Sequence, residues 1–130
     1  MTRTNADLGR LVLRIALGGL IIFHGIAKLR GGIDPITQLV TATGMPAFVA
    51  YGVYVGEVIA PVLVILGWFS RIGSLLIAIN MVFALSLAHR ADLFNLATTG
   101  GYALELQALY LLVAIALVIL GPGRYSINER

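Results

Sequence analysis

Residues 47–66 read AFVAYGVYVGEVIAPVLVIL, twenty residues interrupted only by one carboxylate, Glu57, and one proline, Pro61. At about 1.5 Å per helical residue this stretch measures about 30 Å, the thickness of a bilayer hydrocarbon core. Three further apolar stretches flank it, at residues 8–27, 72–88 and 102–120. Gly31-Gly32 and Asp34-Pro35 punctuate the first connection, Trp68 to Arg71 make a short second one, and Asp92 to Gly101 a third. Gly121-Pro122-Gly123 ends the last stretch. Such long, evenly apolar runs fit helices and do not fit barrel strands that alternate inward and outward. The expectation is an all-α polytopic membrane protein, an antiparallel bundle of four transmembrane helices forming one domain over residues 1–130.

Composition agrees. The chain is 59% hydrophobic and 12% charged, with a mean hydropathy of +0.96, against about 25% charged residues in soluble domains. It lacks cysteine, which excludes disulfides, thiolate metal sites and CxxC exchange. The net charge of +3 comes from basic residues scattered at segment ends, so nucleic acid is not an expected partner. Four spans place both termini on one side together with Arg3, Arg10, Arg71, Arg124 and Arg130, leaving Lys28, Arg30 and Arg90 on the other. Basic residues mark cytoplasmic loops, so both termini are expected in the cytoplasm, and the first stretch, with Arg14 inside it, is expected to stay as a span and not be cleaved.

Polar groups within spans are costly and usually face a bundle interior or cavity. In the first span Arg10, Arg14, Leu17, Ile21, His24 and Lys28 recur at spacings of three and four, one stripe on a helix. Glu57 lies ten residues from Ala47, about 15 Å deep, and Arg14 about 9 Å from Leu8, which predicts an Arg14–Glu57 ion pair. Pro61 has no N–H to give the carbonyl of Glu57, so a kink is expected at that level, either lining a cavity or relieved by a neighbouring helix. His24, Lys28 and Glu105 are expected as an outer polar layer, with Asn80 and Gln107 adding hydrogen bonds to a cavity or bonding helix to helix. These residues form the candidate ligand-binding set: His24, Lys28, Glu57, Asn80 and Glu105. Gly52 and Gly56 make a small-x-x-x-small face for packing within the bundle or for a homodimer. His24 and His89 are conceivable haem ligands, although interfacial polar roles fit them better; no metal-ligand cluster, phosphate loop or activated nucleophile is recognisable, and no catalytic residue is assigned.

Several of these residues carry a family resemblance. Leu13-Arg14-Ile-Ala-Leu-Gly18, Phe23-His24-Gly25-x-x-Lys28-Leu29, Gly44-Met-Pro46, Glu57, Leu66-Gly-Trp-Phe-Ser-Arg71, Tyr102 with Glu105, and Gly121-Pro-Gly-Arg-Tyr-Ser126 together resemble the DoxX family of small four-helix bacterial membrane proteins. Asn128 stands where that pattern leads one to expect an acid. The resemblance implies an oxidoreductase-linked subunit of the bacterial inner membrane. Relatives are associated with thiosulfate:quinone oxidoreductase, with catechol and quinone stress, and with an assembly joining a superoxide dismutase and a sulfurtransferase. The leading expectation is therefore a redox-system subunit binding a quinone or similar lipophilic molecule between its helices. A membrane scaffold for soluble redox enzymes and a small-molecule transporter are the alternatives.

Overall fold

The computed structural model describes residues 2–130, and every regular element in it is helical. Helix α1 (Arg3–Gly31) begins on Thr2, whose hydroxyl accepts from the Asn5 N–H at 3.1 Å, and stops at Gly32, which adopts a φ of 81°. A short helix α2 (Asp34–Ala42) follows, opened by Pro35 with Asp34 in its first turn. The second long element, α3 (Ala47–Leu66), changes pitch along its length: 3-10 over Ala47–Tyr51, π over Val55–Ile59, and α over Ala60–Leu66. Helices α4 (Ser70–Leu87) and α5 (Glu105–Leu120) complete the chain.

Helix α3 packs between α1 and α4, α4 packs most extensively on α5, and α5 closes back onto α1. Leu17 and Ile21 of α1, Ala60 and Val64 of α3, Ile77 and Met81 of α4 and Ala114 and Leu117 of α5 meet in one buried core. The outward faces are apolar too: Val12, Ile15 and Phe23, Ile72, Leu75 and Val82, and Leu109, Leu112 and Ile119 are all exposed. An exterior of that kind is stable against lipid and not against water. Helices α1, α3 and α4 are long and apolar enough to cross a membrane; α5 is apolar but has 16 residues.

The structure moves several boundaries. Helix α1 starts five residues before Leu8 and continues four beyond Ala27. The α2 segment, expected as loop, is helical because its apolar face (Val40, with Ile36) packs on Ala50 and Val49. The kink expected at Pro61 takes the form of the π segment just before it. Proline's ring would clash with the Glu57 carbonyl in an ordinary α-turn, and a wider turn relieves that clash.

The final ten residues fold back beneath the bundle. The Ile127 and Asn128 N–H groups donate to the carbonyls of Leu66 and Gly67, and the Arg71 N–H donates to the Arg130 carbonyl. Asn128 Oδ1 accepts from the Phe69 N–H at 3.0 Å, bracing a residue with a φ of 49° at the start of α4. In this chain the amide at 128 therefore serves as a backbone brace, a role that needs an acceptor and no charge.

Candidate functional site

Helices α1 and α3 approach closely where glycine permits it. A side chain at Gly25 would collide with the Glu57 carbonyl, and one at Gly18 would meet the Pro61 carbonyl at 2.9 Å. This antiparallel register sets Glu57 level with Gly25, one turn from Lys28. Lys28 Nζ consequently bonds Glu57 Oε1 at 2.5 Å. From the opposite side Asn80 Nδ2 donates to Glu57 Oε2 at 3.2 Å. Gly56 makes room for it, since a Cβ there would meet the Asn80 side chain. Glu57 is 5% exposed, and both its oxygens are held, one by a cation and one by an amide. Tyr54 Oη donates to the Lys28 carbonyl, fixing the last turns of α1.

The three polar side chains stand at the wall of a cavity of about 550 Å³. The rest of the lining is chiefly apolar, with Leu39 and Val40 of α2, Val53 of α3, and Ile79 and Phe83 of α4, and His89 lies at the far end of α4. A cavity of this size holds a substituted ring, and a few polar groups in an apolar lining are the usual means of orienting such a ligand.

Lys28, Glu57 and Asn80 of the candidate set come together here. His24 does not join them: it is exposed on α1 and meets Tyr110 of α5 edge to face, ring centroids 6.3 Å apart. Glu105 is exposed in the first turn of α5, where a carboxylate complements the helix dipole. Gln107 does not line the cavity, whereas His89 does. His89 follows the last apolar turn of α4, and that position was the available signal.

The Arg14–Glu57 pair is not formed. Glu57 is level with Gly25, and the eleven helical steps from Arg14 to Gly25 correspond to about 16 Å. Counting depth from the apolar edges at Leu8 and Ala47 misplaced the two helices, because α1 extends past both of its apparent edges. Arg14, 1% exposed, instead donates from Nε to the Val64 carbonyl, from Nη2 to Ile65, and from Nη1 to both Pro122 and Tyr125, at 2.6–3.1 Å. It binds the last carbonyls of α3 and ties them to the segment after α5, a task suited to a forked donor. Gly67, with a φ of 68°, passes under it; a Cβ there would meet Arg14 Nη2 at 2.5 Å.

The DoxX family matches residues 9–90, from the first turns of α1 to just past α4, and the chain belongs to that family. Among its relatives, a Bacillus subtilis protein named "Putative oxidoreductase CatD" is 33% identical over 79 residues, covering 61% of this chain and 58% of that protein. A Haemophilus influenzae protein named "Uncharacterized protein" is 31% identical over 121 residues, covering 91% of this chain and 87% of its own. No solved structure matches the chain.

Proposed function

We propose that this chain is a membrane-embedded subunit of a redox system and that it holds a quinone or a similar lipophilic molecule in the cavity between α2, α3 and α4. The observation that carries the reading is the Lys28–Glu57–Asn80 cluster set into an otherwise apolar cavity of about 550 Å³. A quinone presents two carbonyl oxygens on an apolar ring, so it asks for hydrogen-bond donors on an apolar wall. Lys28 and Asn80 supply donors, while Glu57 holds both in place. The name of the Bacillus relative supports a redox setting. In this reading α5 is the fourth span, both termini are cytoplasmic, and the membrane is the bacterial inner membrane.

A photoreactive quinone analogue, added to the protein in nanodiscs, tests the assignment. Labelled peptides from α3 and α4, protected by excess unlabelled quinone, are expected. Labelling confined to the outward faces, or unprotected by competitor, removes the quinone from this cavity.

A further inference from the structure

A second pocket, of about 400 Å³, opens at the end of the bundle that carries both termini. Four arginines line it, Arg3 and Arg10 from α1, Arg71 from α4 and Arg124 from the closing segment, against two carboxylates, Asp7 and Glu129. Asp7 Oδ1 accepts from Arg10 at 2.9 Å, while its buried Oδ2 lies 4.0 Å from Arg124 Nε and has no hydrogen-bond partner. Arg124 also donates to Thr4 Oγ1 and Tyr125 Oη. Arg3 and Arg71 take part in no ion pair among the described residues. Arg71 lies over Gly121, where a Cβ would meet its Nη2 at 2.8 Å, so the glycine gives the guanidinium its place. Arg10 keeps a buried Nε without a hydrogen-bond partner. The pocket thus has two more cations than anions and donors in excess of acceptors.

We propose that this pocket binds a phosphate-class oxyanion. Guanidinium forks match the oxygens of a phosphate, and on the topology proposed above this basic pocket lies at the cytoplasmic ends of the spans, where such pockets suit lipid head groups. The pocket edge includes Leu120, which is 42% exposed at the end of α5, next to where acyl chains would lie. The oxyanion is either the phosphodiester of an anionic lipid or free phosphate. This site is separate from the cavity at Glu57 and shares none of its lining residues.

The test measures binding of phosphatidylglycerol, phosphatidylcholine and inorganic phosphate to the full chain in detergent, by native mass spectrometry and thermal shift. The variants are Arg3→Gln and Arg71→Gln, which break no ion pair of the fold. Phosphatidylglycerol retained in preference to phosphatidylcholine, weakening about fivefold with each variant, is the expected result and identifies a lipid source. Stabilisation by inorganic phosphate, lost in the same variants, supports the site with a free oxyanion as its occupant. Equal retention of the two lipids without a phosphate effect overturns the proposal, as does wild-type binding by both variants.

Discussion

Glu57 accepts from two helices at once, and that geometry makes its substitution informative. Glu57→Gln keeps an acceptor for Asn80 but leaves the Lys28 ammonium without its counter-charge. Because the Lys28 side chain is 27% exposed, the cost is that of a partly screened pair, about 1–3 kcal/mol. The double variant Lys28→Gln with Glu57→Gln is expected to recover part of that loss, read by thermal denaturation in detergent as a positive coupling. Arg14 has a different role, and its conservative replacement should be harsh. Arg14→Lys offers one ammonium where a fork reaches four carbonyls. Losing two charge-assisted bonds predicts destabilisation of about 3 kcal/mol in the same assay, with the cavity itself unchanged.

Helix α3 shows what an element adds to its residues. Its bounds, 47–66, were legible from hydropathy alone, and a distortion near Pro61 from the missing proline N–H. The form of the distortion was not, because a proline can be relieved by a bend, by a neighbour or by a wider turn, and packing against Gly25 and Asn80 decides among them. Helix α2 was illegible for another reason: nine residues between Gly31-Gly32 and Gly44 read as loop until their tertiary partners are known. Of the candidate site, Lys28, Glu57 and Asn80 were recognisable as costly polar groups, but their partnership depends on a register that apolar edges do not define. If the π segment sets the direction of Glu57, Pro61→Ala should let residues 55–59 return to α pitch and rotate the carboxylate away. The expected outcome is stability within about 1 kcal/mol of wild type, with ligand retention at least about tenfold weaker.

Across the whole molecule, an apolar exterior surrounds a core that is itself apolar apart from a few buried polar side chains, so the bundle belongs in lipid and is tested in a membrane. The absence of cysteine makes topology accessible with single introduced thiols. With α5 as the fourth span, Thr2→Cys and Arg130→Cys should react with an impermeant reagent only from the cytoplasmic side, and Thr98→Cys only from the other. Termini labelled from opposite sides would leave three spans. The ligand claim has its own decisive variant. Gly52 lines the cavity, and a Cβ there meets nothing within 4 Å, so Gly52→Leu should fill the space while leaving Lys28, Glu57 and Asn80 paired. The most direct measurement is native mass spectrometry of wild type and Gly52→Leu extracted gently from their own membranes, with retained small molecules identified. A quinone or similar lipophilic molecule is expected at one per wild-type chain, and none on Gly52→Leu at equal thermal stability. Ordinary lipids alone on both, or the same molecule retained by both, would contradict it.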